Sequence, residues 1–260
     1  MLVLAVESAT DTAGVALADE NGALGSVVVA RGRRHTETIA PAIDSVCRRA
    51  GVALSDLDMV GVDVGPGLFT GLRVGVGTVK ALAFALDVPV VTATSLDVLA
   101  HAVATSGATA GRLLVPVVDA RRGGVFSARF RATGPTAITA GTATGALVEA
   151  TGDGAAEAVW TPETLAADLA GLGEPVVLAG DGALRYSALF AAVAGVTLAG
   201  PAFAAPPVAA LAELCVTRGR AGAVQNGAAV MPRYLRDVDA RINWEQRIAP
   251  RAVTGAGGGR

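Results

Sequence analysis

Val62-Asp63-Val64-Gly65-Pro66-Gly67-Leu68-Phe69-Thr70-Gly71-Leu72-Arg73 joins an apolar run to a helical pattern through a bend with three glycines and a proline. Met59 to Val64 reads as a strand, and Leu72 to Leu86 is apolar at helical spacing, with few breakers beyond Gly75 and Gly77. A strand that enters a helix through such a turn brings backbone N–H groups and a helix N-terminus to one point. That arrangement suits a phosphate, or else another backbone packed closely against the turn.

Working outward, Leu2 to Glu7, Ala13 to Asp19 and Ser26 to Arg31 read as short strands, separated by turn signals at Thr10 to Thr12 and at Glu20-Asn21-Gly22. An antiparallel meander is expected. A helix from Thr36, its N-cap, to Ala50 carries Ile39, Ile43, Val46 and Cys47 at helical steps and stops at Gly51. The strand at Met59 to Val64, the helix at Leu72 to Leu86, the strand at Pro89 to Thr92 and a helix from Ser95 then alternate. The order βββαβαβα is the core unit of the ribonuclease-H-like domains that pair in the sugar-kinase, heat-shock and actin group. The expected fold class is therefore α/β with two such domains, the second reduced.

The expected first domain covers 1–107 and is completed by a helix at Pro207 to Arg218; a smaller one covers 108–206. In the second, Leu113 to Val118 and Val125 to Arg131 flank Asp119-Ala120-Arg121-Arg122-Gly123-Gly124, and Val176 to Ala179 precedes a helix from Gly182 to Ala194. Thr133 to Gly154 is rich in Gly, Ala and Thr and reads as an irregular connection. Ala249 to Arg260 has nothing to bury and is expected to be disordered.

A formal charge of −2 gives no general attraction to nucleic-acid backbones, so any such contact must be local or come through a partner. Cys47 and Cys215 form no disulfide framework and no metal spacing. No basic leader or cleavage signal surrounds Met1 to Val6, and the run at Leu72 to Leu86 falls short of a membrane span. A cytoplasmic protein without a membrane segment is expected. Lys80 is the one lysine among 21 basic residues, which singles it out for a specific role or marks a solvated helix position.

Four segments together resemble the bacterial TsaB (YeaZ) family. They are Leu4-Ala5-Val6-Glu7-Ser8-Ala9-Thr10, the signature-like Gly65-Pro66-Gly67-Leu68-Phe69-Thr70-Gly71-Leu72-Arg73, Thr94-Ser95-Leu96-Asp97, and Pro232-Arg233-Tyr234-Leu235-Arg236. The resemblance implies a non-catalytic subunit of the complex that forms N6-threonylcarbamoyladenosine at position 37 of tRNAs reading ANN codons. It implies TsaD as heterodimer partner, the ATPase TsaE as a further one, a possible homodimer, and tRNA met only through the complex. No cofactor is expected on the chain alone, ATP and metal belonging to partner subunits.

TsaD, the catalytic sister family, carries a metal-binding His-x-x-x-His that this resemblance aligns with Ser95 and Leu99. His35 and His101 form no such pair, and a structural or capping role is expected for each. The Asp-x-Gly turns that hold phosphates in active relatives are here Glu7-Ser8-Ala9 and Asp119-Ala120-Arg121, each without its glycine. Glu7, Asp119 and Arg121 thus mark a degenerate nucleotide site; no catalytic and no metal residue is assigned. The competing enzyme reading is an ATP-dependent phosphoryl or carbamoyl transferase with Glu7 and Asp119 around magnesium.

The helices offer an alternative use. Leu72, Val76, Val79 and Ala83 make one apolar face, and Gly71, Gly75, Thr78, Ala81 and Ala85 a small-residue face beside it. With Ile39, Ile43 and Val46 of the preceding helix, the small-residue face is expected to form a helical-bundle interface with TsaD or with a second copy. Gly65, Pro66, Gly67, Phe69, Thr70 and Arg73 form the signature turn, where Phe69 and Arg73 serve either the interface or the locking of the turn to the sheet.

Overall fold

The computed structural model describes residues 1–30, 34–107, 112–132, 137–139, 142–144, 148–150 and 156–235. Thr133 to Gly154 falls mostly outside these residues, and the segment after Leu235, including Ala249 to Arg260, lies wholly outside them.

One sheet contains β1 (Val3–Glu7), β2 (Ala13–Asp19), β3 (Gly22–Val29), β4 (Met59–Asp63) and β5 (Val90–Ala93) in the order β3-β2-β1-β4-β5. The first three strands pair antiparallel, as tight turns allow, while β1–β4 and β4–β5 are parallel and need crossovers. Helices α1 (His35–Ala50) and α2 (Phe69–Leu86) supply them, and α3 (Ser95–Thr105) follows β5. Every residue of β1 and β4 is buried, because helices cover both faces. On one face Ile39, Val46, Val76 and Val79 pack with Leu4, Val6, Val60 and Val62.

The second sheet contains β6 (Leu113–Asp119), β7 (Val125–Ser127), β8 (Phe130–Ala132), β11 (Val148–Ala150), β12 (Ala158–Trp160), β13 (Val176–Ala179) and β14 (Val196–Leu198). Its path runs β11-β8-β6-β13-β14, with β7 bridging β6 and β12, while β9 (Ala137–Thr139) and β10 (Thr142–Thr144) form a separate hairpin. Helices α4 (Pro162–Ala170), α5 (Asp181–Arg185) and α6 (Ser187–Ala191) belong to this half. The fold is thus the ribonuclease-H-like pair of the sugar-kinase, heat-shock and actin type.

Two elements fix the halves against each other. Helix α7 (Val208–Arg220) returns to the first sheet, where Leu211 and Cys215 pack with Val3, Ala5 and Val91. Helix α3 sits between the sheets. Its Val98 and Ala102 join the α7 side, whereas Leu96, Leu99 and Val103 pack with Leu114, Val118 and Phe126 of the second sheet. Arg218 of α7 donates to the Thr92 carbonyl at 2.9 Å and pairs with Asp97 at 2.9 Å, stitching α7, β5 and α3 together.

Several boundaries differ from the sequence expectation. Strand β3 begins at Gly22 rather than Ser26, because the Glu20-Asn21-Gly22 turn feeds straight into pairing with Asp19. The N-cap of α1 is Arg34, without a side-chain cap; Thr36 lies inside the first turn. Helix α2 starts at Phe69, three residues early, and its 18 residues with mean hydropathy 1.3 are long and apolar enough to cross a membrane by length and composition. That corrects the expectation of a run too short to span; in the fold, α2 lays Leu72, Val76, Val79 and Ala83 on the sheet. The single helix expected from Gly182 to Ala194 is two short ones broken at Tyr186, and the strand expected over Val125 to Arg131 is interrupted at Ala128 and Arg129.

Candidate functional site

The signature turn lies against the turn that follows β1. Gly65 has φ +101°, a conformation that favours glycine, and the Gly65–Pro66 peptide is cis. Leu68 N–H donates to the Ala9 carbonyl at 2.6 Å, and Ser8 Oγ donates to the Gly71 carbonyl at 2.9 Å. A Cβ at Gly67 would overlap Ala9, and one at Gly71 or Gly75 would overlap the carbonyl or hydroxyl of Ser8. Of the two uses open to this turn, the structure has the second: a neighbouring backbone fills the space. His35 at the start of α1 completes the lock, its Nε2 lying 2.9 Å from the Thr10 carbonyl in a buried position.

Beneath the turn sit two buried carboxyl groups that parallel pairing of β1 and β4 brings to the same sheet end. Glu7 and Asp63 are both fully buried. Asp63 Oδ1 accepts from Gly65 N–H at 2.7 Å and from Ser95 Oγ at 2.9 Å, and Glu7 Oε1 accepts from Ala9 N–H at 2.7 Å. The remaining oxygens, Glu7 Oε2 and Asp63 Oδ2, have no partner beyond the bond between the two side chains. Two carboxyl groups can bond only when one carries a proton. Burial and the facing Asp63 charge push Glu7 well above the ordinary carboxylate range, and burial raises Asp63 as well. The buried pair therefore holds one proton between its two carboxyl groups.

Across the cleft, Asp119 ends β6. Its Oδ2 is held by Arg121 Nη1 at 3.3 Å and by Arg185 Nη1 at 3.1 Å. Arg121 and Arg122 have φ of 60° and 48°, left-handed values that cost on the order of 1–3 kcal/mol each. This fold of the turn swings Arg121 over Asp119 and lets its Nη2 reach Asp11 of the first half at 3.2 Å. Asp119 and Arg121 pair with each other, while Glu7 bonds to Ala9 N–H and to Asp63. Ser95 serves Asp63, and Leu99 is fully buried in the core. Among the described residues no three His, Cys, Asp or Glu side chains form a group that could hold a metal.

The expected interface residues divide. Ile39 and Val46 are buried on the sheet side of α1, and Gly71 and Gly75 are buried against Ser8, so these four do not face outward as expected, whereas Ile43, though largely buried, reaches the edge of a groove. Periodicity found two faces of α2 but could not tell that the glycine face needed the close approach to β1. Ala81 and Ala85 are exposed and Thr78 half-exposed. With Leu82 and the Ile43, Asp44 and Cys47 edge of α1 they line an open groove of about 700 Å³. Phe84, which the sequence reading passed over, is 90% exposed on the same helix. Its only signal was an aromatic ring among small residues.

Phe69 and Arg73 lock the turn to the C-terminal motif. Arg73 stacks 3.9 Å over the Phe69 ring, which packs on Tyr234 at 5.1 Å, and Arg233 N–H donates to the Val64 carbonyl at 2.7 Å. Lys80 does have a specific role: its Nζ donates to the Ala228 and Val230 carbonyls at 3.0 and 3.1 Å.

A family model described as TsaD: tRNA N6-adenosine threonylcarbamoyltransferase matches residues 25–244. The chain belongs to this family. Within it, relatives and solved structures identify the TsaB (YeaZ) branch. The tRNA threonylcarbamoyladenosine biosynthesis protein TsaB of Bacillus subtilis (strain 168) is 33% identical over 131 residues, 50% of this chain and 56% of that protein. TsaB of Escherichia coli (strain K12) is 33% identical over 132 residues, 50% of this chain and 55% of its own. The chain thus spans just over half the length of these curated relatives. The structure titled YeaZ from Pseudomonas aeruginosa superposes with a TM-score of 0.73 at 26% identity, covering 90% of this chain and 99% of that one.

Gly71→Ala forces a methyl into the Ser8 carbonyl and is expected to cost about 1–3 kcal/mol or more, read as a lower urea midpoint. The Glu7 carboxyl gives a pH signature. Its raised folded pKa means the folded state holds a proton that the unfolded state releases above about 4.3, so stability falls as pH rises from there towards the folded value. Glu7→Gln, which keeps a donor towards Asp63, is expected to lessen that slope in urea titrations between about pH 5 and 8. An unchanged slope contradicts the shared proton.

Proposed function

We propose that this TsaB-family chain is a non-catalytic subunit of the complex that forms N6-threonylcarbamoyladenosine at position 37 of tRNAs reading ANN codons. It binds and stabilises TsaD, helps to recruit TsaE, and acts in the cytoplasm, with ATP, metal and tRNA handled through the partners. The observation that carries this reading is a contrast within one fold. The acidic groups that would serve chemistry are occupied internally, while α2 leaves Ala81, Phe84 and Ala85 exposed beside an apolar groove.

Asp119 already holds two guanidinium groups, Glu7 shares a proton with Asp63, and the signature turn holds a backbone where a phosphate would need N–H groups. Those arrangements support a scaffold role over the ATP-dependent transferase reading. An exposed aromatic side chain flanked by small residues is the composition of an interface anchor.

Ala85→Glu places a carboxylate in the α1–α2 groove without touching the core. Co-purification with TsaD is expected to weaken at least about tenfold, equal to about 1.4 kcal/mol, with the thermal melt unchanged. Capture at wild-type level by a folded Ala85→Glu chain contradicts the assigned surface.

A further inference from the structure

The chain passes from the first half to the second after α3 and returns before α7. Those two helices pack together through Val98, Ala102 and Leu211, so both crossings lie beside one helix pair. Halves joined in this way move against each other unless further contacts fasten them.

A third connection does so. Residues 226–235 run along α2, where Lys80 Nζ donates to the Ala228 and Val230 carbonyls and Val230 is buried in the core of the first half. Further on, Arg233 N–H donates to the Val64 carbonyl at 2.7 Å and Tyr234 packs on Phe69. All of these anchors belong to the first half. The last contacts lie on the other one: the Arg233 guanidinium pairs at 2.6 Å with Glu157, just before β12, and Leu235 packs against the cluster that α3 shares with the second sheet.

The Arg233–Glu157 pair is asymmetric. Arg233 is half-exposed, but the Glu157 side chain is only 9% exposed, and its other charged neighbours are Asp97 and Asp63. Burial pushes the Glu157 carboxyl above the ordinary range, while Thr94 and the Arg233 charge pull it back. A carboxylate so placed suits a closed cleft only while a cation compensates it; without one, opening the halves to water relieves both burial and repulsion. Elsewhere across the cleft, Arg121 Nη2 meets Asp11 Oδ2 at 3.2 Å. Both of those side chains are partly exposed, and water weakens such a pair.

We propose that residues 226–235 form a strap that holds the two halves shut, with Arg233 as its clasp on Glu157 and the Arg121–Asp11 pair as a weaker second fastening. Closure then rests on groups of the chain itself, and one guanidinium on a segment anchored to α2 sets its strength.

Pulsed double electron resonance on the full chain reads the distance between the halves. Spin labels go on Ala30→Cys and Glu163→Cys, exposed positions at the cleft ends of the two sheets, since Val29 pairs with Ala13 and Trp160 with Val125 beside Asp119. Cys47→Ala removes one native thiol, and Cys215 is fully buried with its thiol pushed up to about 12, which keeps it from the label. The otherwise unaltered chain is expected to give one narrow distance. Arg233→Ala and Glu157→Arg are each expected to raise the ratio of open to closed molecules on the order of tenfold or more. Arg233→Glu combined with Glu157→Arg re-forms the pair with its charges exchanged and is expected to restore the single distance. Asp11→Asn is expected to shift the ratio less than Arg233→Ala. Thermal melts confirm folding; if Glu157→Arg does not fold, Arg233→Ala at the half-exposed position carries the test, with Arg233→Lys, which keeps the charge, expected to stay closed. Two distances in the unaltered chain, an Arg233→Ala chain that stays closed, an exchanged pair that stays open, or an Asp11→Asn effect as large as that of Arg233→Ala overturns the assignment.

Discussion

The close approach of α2 to the turn after β1 is the constraint on which the rest of the structure depends. Gly67, Gly71 and Gly75 carry no side chain because Ser8 and Ala9 occupy the space. That contact orients α2 across the sheet, so Leu72, Val76 and Val79 enter the core and the opposite side faces outward. It also fills with protein the position at which a glycine-rich turn could have received a phosphate. The orientation of α2 and the filling of the turn are two consequences of the same packing.

Electrostatics repeat the pattern. Charged groups at the ends of β1, β4 and β6 are the ones a cleft enzyme would direct at substrate, and here each is bound inward. Glu7 and Asp63 share one proton, and Asp119 lies between Arg121 and Arg185. The left-handed backbone at Arg121 and Arg122 is retained by this second cluster, since it aims Arg121 at both Asp119 and Asp11. Exposed apolar and small side chains are found instead on α2, at Ala81, Phe84 and Ala85.

Much of this was legible from residue order. The strand–turn–helix at Val62 to Arg73 and the βββαβαβα order fixed the fold class, because strand and helix periods differ along an apolar chain. What was not legible depended on contacts distant in sequence. The Glu7–Asp63 bond needs the β1–β4 register, which no local pattern states. The burial of Gly71 and Gly75 needs the depth at which α2 sits, whereas hydrophobic periodicity marks faces and not which one meets the sheet. Phe84 was hidden for a related reason: an aromatic ring in an apolar run reads as core until the helix is placed.

The central claim is that this chain supports the modification of tRNA without performing it. Threonylcarbamoyl transfer from its adenylate to unmodified tRNA, measured as the modified nucleoside by mass spectrometry, tests this with the purified chain alone, TsaD alone and the two together. The account predicts no product above background with this chain alone and more product from the pair than from TsaD by itself. Product formed by this chain with no other subunit present would contradict it.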